Sequence, residues 1–169
     1  MQRVAILGSG GAGKTTVAVE LGGRTGIPVV HLDPLYWAPG WVARSPEEFG
    51  AALAAAVGEE RWILDGNVLW GDEDDPRFRR ADTVVFLDLP RRTCIRRALL
   101  RRIRYRGERR PDLPEGCREE IELSFLRWMW GYPERVRPRV LRILAGLDPE
   151  IDVHHLRSGA EVRRFLDST

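Results

Sequence analysis

Lysine is almost missing from this chain: of its 27 basic residues, all but Lys14 are arginine. With 25 acidic residues the net charge is +2, close to neutral. Cysteine is scarce too, with only Cys94 and Cys117, and their spacing matches no metal site. No apolar run approaches the ~20 residues a membrane-spanning helix needs. The opening residues, "MQRVAILGSGG", are too short in apolar character for a signal peptide and hold no small-residue cleavage site. The expectation is a cytoplasmic protein with reduced thiols. Repeats, linkers and low-complexity segments are also lacking. At 169 residues, a single domain over 1–169 is expected, large enough for a substantial core.

The lone lysine falls in "ILGSGGAGKTT", residues 6–16, surrounded by four glycines. Gly8 to Thr15 fit the pattern G-x-x-x-x-G-K-[ST] without exception. The apolar, β-branched run "RVAIL" precedes it and a helical pattern follows, so the motif stands where it has mechanical meaning. Gly8, Gly10, Gly11 and Gly13, with Ala12 between, let the backbone turn its N–H groups inward as an anion nest. The start of the next helix adds positive potential. A slim ammonium suits such a nest; a wide guanidinium fork does not. Lys14 is expected to reach the β- and γ-phosphates of ATP, Thr15 to ligate Mg²⁺, and Thr16 to complete the nucleotide stretch. The competing reading, a glycine-rich turn that binds nothing, is disfavoured by the strand-then-helix context.

The rest alternates strand and helix. Strands are expected at 3–7, 29–33, 61–66, 83–90 and 151–156, and a helix over 14–26. Ser45, Pro46 and Glu48 form a capping box that opens the alanine-rich helix "PEEFGAALAAAVG". An arginine-rich helix spans roughly 91–104. Two helical stretches lie between 115 and 145, the second interrupted by Pro138, and a last helix starts at a capping box of Ser158 and Glu161. This alternation predicts an α/β fold: a parallel sheet with helices on both faces.

Asp33, Asp65 and Asp88 each close an apolar run, which puts three carboxylates at the sheet's carboxyl edge, where ligands bind. One is expected to hold Mg²⁺ through water and another to accept a proton from an attacking hydroxyl. The alternative is that each caps its following turn. Residues 91–110, "RRTCIRRALLRRIRYRGERR", hold ten arginines and one acid. Ile95, Leu99 and Ile103 recur at four-residue spacing as a docking face, with Arg97, Arg101 and Arg104 as a neighbouring stripe. Three uses compete: a lid that offsets charge on a moving phosphoryl group, a nucleic-acid contact, and a solvated surface. The lid is expected over about 97–118, with Arg109 or Arg110 assisting.

The chain resembles the small P-loop kinases of the adenylate kinase type. It is most similar to the bacterial adenylate-kinase-related, or "DNA topology modulation", group. "GSGGAGKTT", "HLDPLYWAPGW", "WILDGN", "VVFLDLPRRTCIRRALLRR" and "ELSFLRWMW" carry the resemblance, which covers most of the chain. It implies a three-layer P-loop NTPase fold with five parallel strands in the order 2-3-1-4-5, a helical arginine-rich lid after strand 4, and an acceptor-binding segment at about 34–60. Adenylate kinases have Asp-Gly-x-Pro-Arg after strand 3. Asp65-Gly66 match, and the arginine that grips an acceptor phosphate is absent. The arginines before the lid match Arg97, Arg101 and Arg102; the resemblance implies Arg101 on the adenine and Arg97 on phosphate. The loop after strand 5 points to Arg157, Ser158 and Gly159 beside the base.

An acceptor is expected near Asp33, which would orient or deprotonate its hydroxyl. Tyr36, Trp37, Trp41 and Trp70 are candidates for an aromatic pocket, or for ordinary packing. Trp62, Trp128 and Trp130 are expected to pack, and His31, His154 and His155 carry no assigned function. The reading is an ATP- and Mg²⁺-dependent phosphotransferase acting on a small hydroxyl compound, with Lys14, Asp33, Arg97 and Arg101 in the chemistry and Asp65 near the metal. Its partners are ATP and that acceptor, with no membrane, as a monomer or small homo-oligomer. The alternative is an ATP-binding protein that interacts with nucleic acid.

Overall fold

The structure, a computed structural model, describes residues 1–67, 75–104 and 123–169. The expectations for Trp70, Arg109, Arg110, Cys117 and the distal part of the lid lie outside the described residues.

Strand β1 (Arg3–Gly8) is the centre of a five-stranded sheet. β5 (Trp62–Asp65) and then β2 (Val29–His31) lie on one side of it; β6 (Thr83–Leu87) and β7 (Asp152–Leu156) lie on the other. Every neighbouring pair is parallel. Numbered within the sheet alone, the order reads 2-3-1-4-5. A separate antiparallel hairpin, β3 (Trp37–Ala38) and β4 (Val42–Ala43), was not anticipated.

The strands are buried on both faces, so they read as continuous apolar runs. Along β1, Val4 and Ile6 face one side, joined there by α1 (Lys14–Thr25), α5 (Arg91–Arg104), α6 (Leu123–Arg135) and α8 (Gly159–Asp167). Ala5 and Leu7 face the other, under α3 (Pro46–Gly58), α4 (Pro76–Arg80) and α7 (Arg137–Ala145). Helix α3 starts as its residues require: Ser45 accepts from the Glu48 amide and Glu48 accepts from the Ser45 amide.

Four local expectations are corrected. β2 ends at His31, and Asp33 lies in the first turn of the short helix α2 (Leu32–Tyr36), not at a strand end. Pro138 sits at the start of α7, where a missing N–H costs nothing, and the proline inside a helix is Pro133 of α6. At the start of α8, Ser158 caps Glu161, whose carboxylate takes the Arg157 amide and the Ser158 hydroxyl rather than the Ser158 amide. Finally, α5 does not dock through Leu99 and Ile103, which are 41% and 70% exposed; it docks through Cys94 and Ala98, with Ile95 of the expected stripe packed beside them. The small face is needed because the helix lies directly on the glycine loop: a Cβ on Gly11 would stand 2.2 Å from the Cys94 carbonyl oxygen.

A second close approach fixes the carboxylate end of the sheet. Gly66 follows β5, and a Cβ there would meet the Cβ of buried Leu32 at 2.3 Å. Gly66→Ala is therefore expected to push α2 away from β5 and lower stability by about 1–3 kcal/mol. A urea midpoint equal to that of the unaltered protein contradicts this packing account.

Candidate functional site

The site begins where β1 hands the chain to α1. Gly11 (φ 69°) and Gly13 (φ 101°) hold left-handed backbone that disfavours any side chain, and Gly13 caps α1. The Ala12 amide donates to the Ser9 carbonyl at 3.2 Å, closing the loop on itself. The Lys14 ammonium donates to the carbonyls of Gly8 (3.0 Å) and Ser9 (3.1 Å). Burial is the largest influence on this ammonium and lowers its pKa from the ordinary lysine value, helped by Arg101. Asp33 and Asp65 act in the opposite direction and help keep it charged.

These groups share one cavity of about 260 Å³, lined by the glycine loop, Thr15 and Thr16, together with Lys14, Asp33, Asp65 and Arg101. Sequence reasoning brought these residues together, and the structure does so too. Arg97 stands apart from that cavity on the outer side of the loop. Its Nη1 donates to the Ala12 carbonyl at 3.1 Å, and its Nη2 lies 3.9 Å from where a side chain on Gly159 would begin. It thus bridges the loop and the start of α8.

Two other candidates are placed elsewhere. Asp88 neither joins the cavity nor serves a simple turn cap. Both its oxygens accept from Arg137 Nε at 2.9 Å, and Oδ2 lies 2.7 Å from His155 Nε2. Arg157 turns toward the same group, with Nη2 3.4 Å from His155 Nδ1. The aromatic residues of the "HLDPLYWAPGW" segment pack on one another. Tyr36 meets Trp37 and Phe49 edge-on at 4.7 and 5.4 Å, and Trp37 meets Trp41 at 5.6 Å. None of these three lines the cavity; among the described residues its aromatic wall is Phe125 of α6, which packs against Gly10. Trp62 and Trp128 pack as expected, whereas Trp130 is 54% exposed beneath the Arg91 guanidinium.

Sequence reasoning missed two contributors. His31 lines the cavity and its Nδ1 lies 2.7 Å from Asp65 Oδ1, giving a carboxylate that is only 4% exposed a hydrogen-bond partner. The available signal was its place one residue before α2, in register with Asp65 on the neighbouring strand. Arg77 is 1% exposed and paired with Asp75, and it donates to the carbonyls of Gly66 and Asn67 at 3.3 Å. It is an internal strut for the segment that leaves β5. The signal was "DDPR", an N-cap aspartate with proline in the first turn.

No family model and no curated protein matches the chain. Solved structures do match, and they show the fold. A shikimate kinase from Acinetobacter baumannii, in complex with shikimate, aligns with TM-score 0.60 and 18% identity over 99% of this chain and 90% of its own. A sugar kinase from Janibacter sp. aligns with TM-score 0.55 and 17% identity, over 99% and 93%. A deoxyadenosine kinase from M. mycoides with bound dATP aligns with TM-score 0.54 and 16% identity, over 99% and 98%. The fold is that of the P-loop kinases.

The His31–Asp65 contact makes its own prediction. His31→Ala leaves a buried carboxylate without this partner and is expected to cost about 1–3 kcal/mol in denaturant unfolding. Adding Asp65→Asn to that variant is expected to restore part of the loss, because a neutral amide is cheaper to bury than an ion. Full additivity of the two losses would contradict the coupling.

Proposed function

We propose that this chain is an ATP-dependent phosphotransferase that phosphorylates a small hydroxyl compound. One observation carries the reading: a partly desolvated ammonium, Lys14, sits in a glycine nest and faces two carboxylates and Arg101 across a single cavity. The nest and the α1 N-terminus offer amides to a triphosphate, and Lys14 is placed to leave the loop carbonyls for its β- and γ-oxygens.

The residues present fit a Mg²⁺ ion. The Thr15 hydroxyl and the Asp65 carboxylate line the same cavity, and Mg²⁺ on a nucleotide needs few protein ligands because phosphates and water supply the rest. When bound, the ion neutralises charge on the β- and γ-phosphates. Thr15 would ligate it and Asp65, held by His31, would sit in its outer shell.

In the transfer step, the acceptor hydroxyl oxygen bonds to the γ-phosphorus and gives its proton to Asp33. The bond from that phosphorus to the β,γ-bridging oxygen breaks, and ADP leaves with the electron pair. Arg101 offsets charge on the moving group. The placements favour the reverse of the expected arginine roles. Arg101 is in the cavity with Lys14, so we assign it to phosphate; Arg97, between the loop and Gly159, we assign to the base. Arg157 has no part in nucleotide binding in this reading.

The adenylate-kinase-type motifs support a kinase. The missing arginine after Asp65-Gly66 argues against a nucleoside monophosphate as acceptor. The neighbours named for sugars, shikimate and deoxyadenosine support an alcohol instead.

The test is a screen of sugars, polyols, hydroxy acids and nucleosides for phosphorylation by γ-labelled ATP. Once an acceptor is found, Lys14→Ala is expected to lose activity about a hundredfold or more while remaining folded. Asp33→Asn is expected to lower kcat about a hundredfold or more with nucleotide affinity unchanged. Equal turnover by the unaltered and Lys14→Ala proteins removes the assignment.

A further inference from the structure

The contact that seats α5 on the glycine loop leaves an apolar face on its outer side. Of the ten exposed large apolar side chains among the described residues, five lie on α5 and α6: Leu99, Leu100 and Ile103 on the first, Leu123 and Trp130 on the second. Scattered singly such residues need no explanation; five on two helices packed together do. A groove of about 380 Å³ is lined by Ile95, Leu99 and Leu100 of α5 and by Trp130 of α6, with Arg92 and Arg96 completing it. It shares no lining residue with the cavity that holds Lys14.

One wall of the groove is fixed in advance. The Arg91 guanidinium lies over the Trp130 ring at 4.8 Å, donates to the Trp130 carbonyl at 2.8 Å and pairs with Glu134 at 2.8 Å. These contacts hold the indole in place although it is 54% exposed. An aromatic side chain already ordered at the surface loses little freedom when it is covered, which is the property of an anchor residue in an interface.

The charged residues lining the groove are both arginine. Arg92 and Arg96 stand one turn apart on α5, and neither has a hydrogen bond or ion pair among the described residues. Like charges at that spacing repel. The acid nearby, Glu134, is taken by Arg91. A covering surface that brings carboxylates to Arg92 and Arg96 removes the repulsion, and one that brings apolar side chains fills the concavity. A second copy docked by two-fold symmetry would set these arginines against the same arginines. A nucleic-acid backbone would satisfy the arginines and leave Leu99 and Leu100 uncovered. A bilayer surface has no side chain to seat in a groove.

We propose that the groove between α5 and α6 is a docking site for an acidic amphipathic helix of a partner protein. The apolar stripe of that helix enters between Leu99, Leu100 and Trp130, and carboxylates one turn apart pair with Arg92 and Arg96.

The test uses the full chain and a synthetic helix-forming peptide of about 18 residues, with leucine at i, i+3, i+4 and i+7 and glutamate along both flanks. Fluorescence anisotropy of the labelled peptide is expected to show binding about tenfold tighter than that of the same peptide with lysine in place of glutamate. Leu100→Ser is expected to weaken binding about tenfold. Arg96→Glu is expected to weaken the acidic peptide about tenfold and to strengthen the lysine peptide, a reversal that misfolding does not produce. Both positions are exposed, so both variants should melt with the unaltered protein. No binding of the acidic peptide, or equal binding of the two peptides, overturns the proposal, as does an Arg96→Glu protein with unchanged preference. Tighter binding to phosphatidylglycerol vesicles or to duplex DNA than to the peptide also overturns it, and so does a dimer in sedimentation that Leu100→Ser dissolves. The readout needs neither ATP nor turnover, so this proposal and the kinase reading fail separately.

Discussion

Backbone contact between helix α5 and the glycine loop is the constraint on which the site depends. At Gly11 the two main chains approach so closely that no side chain fits between them. The helix can lie there only by presenting Cys94 and Ala98, both fully buried. That choice sets its rotation. One position before Ala98 stands Arg97, on the outer wall of the loop, and one turn further Arg101 reaches the cavity. The same rotation turns Leu99 and Ile103 to the surface. A docking through the bulkier stripe would bury more apolar area and would carry both arginines away from the phosphate nest. The close approach is thus an arrangement in which site geometry outweighs burial.

The opposite wall is built from short-range geometry. β2 stops after three residues and the chain turns at once into α2, so His31 and Asp33 reach the cavity from neighbouring elements. Parallel register sets His31 beside Asp65, and the imidazole then fills the space between a buried carboxylate and water. Behind it, Arg77 holds the Gly66 and Asn67 carbonyls from inside the protein. A guanidinium with five donors can fasten a bend and an acid together, which is a task lysine cannot perform. In a chain with one lysine, arginine serves as internal bracing as well as surface charge.

The parts legible in the sequence are those governed by local chemistry. The glycine loop, the capping box of α3, the five sheet strands and the span of α5 all follow from patterns within a few residues. What was not legible depends on contacts distant in the chain. The docking face of α5 is decided by Gly11, more than eighty positions away; of the four-residue stripe, Ile95 packs against the core while Leu99 and Ile103 turn outward. The pairing of Asp88 with Arg137 and His155 joins three separate elements, and no spacing rule connects them. The aromatic run after Asp33 reads equally as pocket or packing. Its rings proved to satisfy one another, and Phe125 took the place on the cavity wall that they were candidates for.

The distribution of charge around the loop explains why one residue type occurs there once. Arg97, beside the loop, arrives on a planar fork already tied to a loop carbonyl. Among the described residues Lys14 hydrogen-bonds to two main-chain oxygens, Gly8 and Ser9, and burial presses it toward its neutral form. A group held that way gains most when an anion enters, because the anion restores the electrostatic stabilisation that burial removed. Arginine, always charged and wider than the gap, would neither fold back on the loop nor release from it so readily. Ser9, whose carbonyl holds the ammonium, also lines a second cavity of about 540 Å³ that shares no residue with the first. Whatever occupies either space therefore acts on the same few atoms of backbone.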